Sequence, residues 1–146
     1  MIQIFTSKAN TLMLLQKKAK SSKIEKIFHF KVKEWFENDE KLLERISTTF
    51  RTGSVVVRSS ALGEDSVDRS EAGKYQSILD VNPRDKRKLK NGINSVIRSY
   101  QQKGSSVEEN QILIQSQSQQ IEISGVVFTK TPELGGPYYV INYEQG

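Results

Sequence analysis

A buried strand that ends at a cation, followed by a polar segment containing glycine, has the residue types that hold phosphate. A run of three valines leads into Arg58, and Gly73 and Lys74 follow later in the same polar segment. Arginine offers a planar fork to phosphoryl oxygens, glycine lets backbone N–H groups approach an anion, and lysine adds a mobile charge. Phosphate binding is one interpretation. The other is that Arg58 pairs with a carboxylate such as Glu64 or Asp65.

The polar segment itself is unusually long. It separates the strand predicted at residues 55–60 from the next apolar run, residues 75–81. Loops of this length without structure of their own are uncommon, and most are functional or disordered. Its acidic pair, Glu64 and Asp65, has the chemistry of a Mg²⁺ ligand, although a pair beside Arg58 more often orients the arginine.

Composition narrows the function classes. The 146 residues, 36% hydrophobic and 27% charged, fit one soluble domain with a sizeable core. The absence of cysteine excludes disulfides, thiolate catalysis and cysteine metal sites, and the single histidine, His29, supports neither a histidine triad nor a multi-histidine metal site. A formal charge of +5 favours polyanionic partners. Short apolar runs and the lack of a secretory signal pattern predict a cytoplasmic protein without a membrane span.

Hydrophobic periodicity predicts the elements of the first half. Thr6 or Ser7 caps a helix with Leu12, Leu15 and Ala19 at helical spacing. A strand at 27–32 and one continuous helix at 33–50 follow, before the valine strand. The apolar positions expected on or near the inner face of the second helix are Trp35, Phe36, Leu42, Leu43 and Ile46.

The second half is richer in strands. A strand is predicted at 75–81, and a helix at 82–102 opens at Asn82 and Pro83, a good cap and a tolerated first residue. Three strands then follow in succession, at 111–115, 121–130 and 137–144, separated by the turns SQSQQ and TPELGG. The predicted class is α/β (α+β), with the sheet weighted to the C-terminal half.

Three blocks in order resemble a known family. They are similar to motifs of the nucleotide-binding domain of phosphoenolpyruvate synthase and pyruvate phosphate dikinase. The blocks are VRSSALGEDSVDRSEAGKYQSILDV, the pair ILIQ and ISGVVFTKTP, and the N-terminal SKANTL. The first block is the most specific and the last the least. The resemblance implies an ATP-grasp fold, here its N-terminal subdomain with a mixed sheet flanked by helices.

The resemblance also implies an activity. In that family the domain passes a phosphoryl group from ATP, through a phosphohistidine on a separate domain, to pyruvate or a related small acceptor, and Mg²⁺ is held by carboxylates on a later segment. Residues 1–146 are thus expected to form a single partial domain. The second subdomain, the phosphohistidine domain and the pyruvate barrel are expected to lie outside it, and the fragment alone is expected to be inactive.

Site residues follow from the motifs, position by position. Lys8 matches the motif lysine that contacts ATP phosphates, and Arg58 matches the arginine that holds the transferring phosphate. The glycine loop over the phosphates is implied at Gly73 and Lys74, with Tyr75 and Ser77 following. Gln115 opens a hinge, through Gln117, whose backbone is implied to meet the adenine edge, with Ile112 and Ile114 as walls of the ring.

Three other interpretations stay open. The family's glycine pair before the lysine is Thr6 and Ser7 here, and the hinge is polar, so a non-catalytic module that kept the fold but lost turnover is the alternative function. The basic run RDKRKLK is read as a solvated face, because it lacks the aromatics of a nucleic-acid surface. His29 and Trp35 are expected to be structural.

Overall fold

The computed structural model describes residues 7–61, 65–66, 69–70, 75–102 and 107–146. Four helices and eight strands lie in these ranges, so the predicted class of mixed α and β structure is confirmed. None of the helices in this part of the chain is both long and apolar enough to cross a membrane. The elements, in order, are α1 Lys8–Lys18, β1 Ile27–Lys31, α2 Val32–Glu37, α3 Asp39–Thr49, β2 Val55–Ser60, β3 Asp65–Ser66, β4 Arg69–Ser70, β5 Ser77–Val81, α4 Lys86–Gln102, β6 Gln111–Ser116, β7 Ile123–Phe128 and β8 Val140–Gln145.

A four-stranded sheet in the order β1-β6-β2-β5 forms the body of the molecule. Every pairing in it is antiparallel, so the expected mixed sheet is wrong in this respect. The physical reason is the position of β6, which runs opposite to both of its neighbours and separates β1 from β2. The residue patterns predicted the four strands of this sheet, whereas the strand order and the pairing directions were beyond them.

The two faces of this sheet are covered differently. Alternation along β2 and β6 places Val57 and Ile114 on one face, which we call the core face, and Arg58 and Leu113 on the other. The core face packs against α3 and α4. The cluster includes Phe30, Trp35, Leu42, Leu43, Ile46, Val55, Val57, Leu89, Ile93, Val96, Ile97, Tyr100, Ile112 and Ile114.

The opposite face, called the α1 face, carries the first helix. Ser7 is the N-cap of α1, as predicted, and its side chain accepts a hydrogen bond from the Asn10 N–H. Leu15, one of the apolar residues at helical spacing, is 41% exposed, so that spacing does not mark a buried face. The helix contacts the sheet through its first turn, where Ala9 is fully buried.

The predicted helix at 33–50 is two helices. Asn38 breaks it, with φ −160° and ψ 81°, and its side chain caps α3 by accepting a hydrogen bond from the Lys41 N–H at 3.0 Å. Asparagine bonds well to nearby backbone and so favours caps over helix interiors. The break leaves Phe36 58% exposed, against its prediction as an inward residue. Trp35 is buried in the core as expected.

The last helix begins four residues later than predicted. Asn82 accepts a hydrogen bond from the Arg84 N–H at 2.9 Å and so closes a turn rather than capping the helix. Asp85 accepts from the Lys88 N–H at 3.0 Å and is the residue that caps α4.

The polar segment after β2 contains a short ladder. Asp65 pairs with Ser70 and Ser66 with Arg69, so the expectation of a loop without structure is wrong at these positions. Glu64, Gly73 and Lys74 lie outside the described residues.

Beyond the sheet, β7 and β8 form a hairpin closed by the predicted TPELGG turn. The Thr131 N–H donates to the Gly136 carbonyl and the Gly135 N–H to the Thr131 carbonyl, each at 2.9 Å. Gly125 has no room for a side chain, because a Cβ there would collide with the Asn142 carbonyl oxygen on the paired strand.

Candidate functional site

The α1 face brings four of the sheet's side chains into one row. Reading across β1, β6, β2 and β5, the paired residues are His29, Leu113, Arg58 and Ser77. Leu113 is fully buried, whereas the other three are partly or largely exposed. The sequence-predicted Arg58 and Ser77 are therefore direct neighbours on adjacent strands.

Arg58 is also joined to the hinge. Its Nη1 donates a hydrogen bond to the Gln115 Oε1 at 3.0 Å. Gln115 is paired with Val56, so the two side chains are diagonal neighbours on the α1 face. This contact fixes one N–H of a guanidinium that has five. The alternative pairing of Arg58 with Glu64 or Asp65 concerns side chains that lie outside the described part of the chain.

The first turn of α1 fastens Lys8 to this face. The Ser7 Oγ donates to the Gln111 Oε1 at 2.7 Å, and the Ala9 N–H donates to the Ser60 Oγ at 2.8 Å. Gln111 and Ser60 are themselves paired across β6 and β2. Lys8 is half-buried between these two contacts and is the first residue of α1. The start of α1 therefore lies beside Ser60, which is two residues after Arg58 in β2.

The same contacts occupy the backbone donors of the helix start. The N–H groups of Ala9 and Asn10 already donate to the serine oxygens of Ser60 and Ser7. Where the resembled motif has glycine, Ser7 is fully buried and serves the helix. These two amides are therefore already used within the chain, and the predicted contact of Lys8 with phosphate stays a prediction.

A buried tyrosine supports the corner from behind. The Tyr100 hydroxyl accepts from the Ser60 N–H at 2.7 Å and donates to the Gln111 carbonyl at 2.6 Å. It thus ties α4 to the end of β2 and to the start of β6. Sequence reasoning missed Tyr100, Gln111 and Ser60. The available signal was weak: each is a residue with a hydrogen-bonding side chain at the end of a predicted strand or helix.

Gln117 is held apart from Arg58. Its Nε2 donates to the Asp80 Oδ1 and its Oε1 accepts from the Asp80 N–H, both at 2.8 Å. Its backbone N–H donates to the Ser54 carbonyl at 2.9 Å. Asp80 has a positive φ of 54°, and the clamp from Gln117 holds this unusual backbone. The hinge at Gln117 is therefore anchored to β5.

His29 closes the other end of the row. Burial lowers the pKa of its imidazole, and the carboxylate of Glu34 opposes that shift. The neutral form is thus favoured at neutral pH. As a half-buried strand residue it matches its predicted structural role.

The metal chemistry expected with ATP has no built counterpart in the described residues. No group of three or more histidine, cysteine, aspartate or glutamate side chains there is arranged to hold a metal ion. The prediction that carboxylates outside this chain hold Mg²⁺ stays a prediction.

Comparison with known proteins decides the family. The model of the pyruvate phosphate dikinase AMP/ATP-binding domain matches residues 6–146. The chain belongs to this family. Neither a search of curated proteins nor a search of solved structures gave a match. The resemblance carried by the sequence motifs is thereby confirmed at the level of the family.

Proposed function

We propose that this chain is the ATP-holding part of a phosphotransferase of the phosphoenolpyruvate synthase and pyruvate phosphate dikinase type. The phosphoryl group passes to a histidine on another domain and from there to pyruvate or a related small acceptor. Membership in the AMP/ATP-binding domain family supports the choice of ATP as the bound nucleotide. The observation that carries the proposal is the meeting of Arg58, Gln115 and the first turn of α1 on one sheet face.

Phosphoryl transfer needs positioning and charge stabilisation rather than covalent help from the protein. Arg58 is preorganised by Gln115, so its remaining N–H groups meet phosphoryl oxygens without a search through rotamers. Lys8 supplies a second cation from the start of α1. The contacts of Ser7, Ser60 and Tyr100 hold the start of α1 against β2, the strand that carries Arg58.

The other positions predicted from the sequence motifs extend this site. Ser77 borders Arg58 on β5, and Gly73 with Lys74 would cover the phosphates from the segment just before it. The hinge from Gln115 to Gln117 would place adenine at the end of β6. We assign no step to Mg²⁺, because the described residues offer no ligand set for it.

A non-catalytic nucleotide-binding or interaction module is the second candidate. The clamp between Gln117 and Asp80, and the use of the Ala9 and Asn10 amides by serines, favour it. Each removes hydrogen-bonding groups that a nucleotide would otherwise take. Such a module keeps the fold and has no turnover.

Calorimetric titration with ATP and Mg²⁺ tests the proposal. We expect Arg58→Ala to weaken ATP binding at least about ten-fold, since a charge-assisted phosphate contact contributes more than 1.4 kcal/mol. Arg51→Ala, an exposed arginine in the turn before β2, is the matched control and should bind like the parent. A titration with GTP in place of ATP measures whether the hinge selects adenine over guanine.

The outcomes separate the two functions. Equal loss in both arginine variants, or no ATP binding by the folded parent, would contradict an ATP site at Arg58. A longer protein that includes the histidine domain should also be assayed with ATP and pyruvate. If it binds ATP but transfers no phosphoryl group, the result would favour the non-catalytic module.

A further inference from the structure

A groove runs between β5 and α4, away from the α1 face. It encloses about 590 Å³ and is lined by Ile78 and Leu79 on the strand side. Lys88, Ser95 and Arg98 line it on the helix side. A hydrogen bond that the Ser95 Oγ donates to the Gln76 Oε1 at 3.1 Å joins the helix to the residue just before β5.

The strand wall of this groove is a sheet edge. β5 is the outer strand of the four-stranded sheet, and no other strand pairs with its outer side within the ranges given for the structure. An edge of this kind offers main-chain donors and acceptors to an added extended segment. Leu79 is 62% exposed beside it, which offers an apolar contact as well. The register of the β2–β5 pairing shifts between Ile78 and Val81, and Asp80 in that stretch has a positive φ, so the regular part of the edge is Ser77–Ile78 and Leu79 stands at its end.

The helix wall is strongly basic. α4 contains five cations and no acidic residue. Lys86 and Lys90 are paired with Glu40 and Asp39, at 3.6 and 2.5 Å. Its other three cations, Arg87, Lys88 and Arg98, have no ion pair with any residue in the described part of the chain.

The position of these charges is informative. Lys86, Arg87 and Lys88 occupy the first turn of α4, where the positive end of the helix dipole disfavours cations. A cost of this kind is offset when an anion binds nearby. Among the described residues that line the groove, Asp80 has the one carboxylate, and this group already accepts a hydrogen bond from the Gln117 Nε2.

We propose that this groove binds an extended acidic segment of a partner protein. The segment adds to the outer edge of β5, places carboxylates against Lys88 and Arg98, and rests an apolar side chain on Leu79. A free strand edge beside an exposed leucine favours a peptide over a nucleic acid. The described residues that line the groove include no aromatic ring on which a base would stack.

Fluorescence anisotropy with the whole chain tests the proposal. The probe is a labelled eight-residue peptide of alternating glutamate and valine. One control peptide replaces glutamate with lysine, and the other places proline at two central valines, which removes ladder donors without changing charge. We expect binding of the first peptide only.

Two matched variants locate the site. Lys88→Glu with Arg98→Glu should weaken binding about ten-fold or more, because two surface charges are reversed. Lys17→Glu with Lys18→Glu, on exposed α1, removes the same positive charge elsewhere and should have little effect. Thermal unfolding followed by circular dichroism verifies that both variants fold.

Amide hydrogen exchange gives an independent readout. The peptide should slow exchange at Leu79, which no effect of charge alone would do. The proposal is overturned if the proline peptide binds as well as the parent peptide, or if both double variants lose binding equally. Preference for a single-stranded oligonucleotide over the acidic peptide would also overturn it and would assign the basic face to nucleic acid.

Discussion

Two valine-rich strands of this chain have opposite surroundings. In β2 the run VVV leads to Val57, which is fully buried, whereas in β7 the run VVF contains Val127, which is 60% exposed. Their residue types and local patterns are nearly the same. The difference therefore comes from the partners that each strand finds.

The partners of the two strands are easily stated. β2 pairs on both sides, with β6 and β5, and is covered on the core face by α3 and α4. β7 pairs only with β8, and both faces of that hairpin expose apolar side chains in the described structure. A two-stranded ribbon is marginal in water by itself. Burial in this molecule is a property of tertiary packing rather than of strand sequence.

Truncating one isoleucine in each region gives the largest expected contrast. Ile114→Ala, at a fully buried position in β6, should lower the free energy of unfolding by about 2–5 kcal/mol because it removes packed methyl groups and leaves a cavity. Ile141→Ala, at a 62% exposed position in β8, should change it by less than about 0.5 kcal/mol. Urea denaturation measures both. Equal losses would mean that the hairpin is packed as the sheet is.

A hydroxyl deletion sharpens the contrast for polar groups. Tyr100→Phe leaves the buried Ser60 N–H and the Gln111 carbonyl without their tyrosine partner, so the free energy of unfolding should fall by about 1–3 kcal/mol. Tyr143→Phe, on the exposed hairpin, is the matched control and should stay within about 0.5 kcal/mol of the parent. A loss of similar size in the control would argue against the Tyr100 network as a special support.

The smallest expected effect is a pH dependence from the sheet's histidine. Burial lowers the pKa of His29 below its ordinary 6.5, so the unfolded chain binds a proton more readily than the folded one. Stability should therefore be fully present above pH 6.5 and should decline as the pH falls below it. We expect His29→Gln to have a flatter profile over this window, measured as urea midpoints at pH 7.5 and 5.5. Identical slopes would remove His29 as the source.

Much of the fold was predictable because local patterns set it. The Ser7 cap, the strands at β1, β2 and β6, and the TPELGG turn all agree with the structure. The errors fall where a single side chain competes with a periodic pattern. Asn38 ends one helix and starts another, and Asn82 closes a turn before Asp85 caps α4.

Motifs named Lys8, Arg58 and Gln115 as members of the candidate site, and their roles stay predictions. The structure joins Arg58 to Gln115 and packs the first turn of α1 against the same sheet face. The strand order that joins them is long-range, and one sequence does not reveal it. For the same reason the clamp of Gln117 on Asp80, 37 residues apart, was out of reach.

The place of β6 in the sheet bears on how the chain folds. It is one of the two inner strands, yet it is the last of the four in sequence, and its pairing of Gln115 with Ile27 joins positions far apart along the chain. During synthesis β1 cannot pair within the sheet, and β2 can pair only with β5, until β6 has left the ribosome. High contact order of this kind slows folding. The apolar strands that pair with β6 therefore stay partly exposed on the nascent chain until β6 emerges.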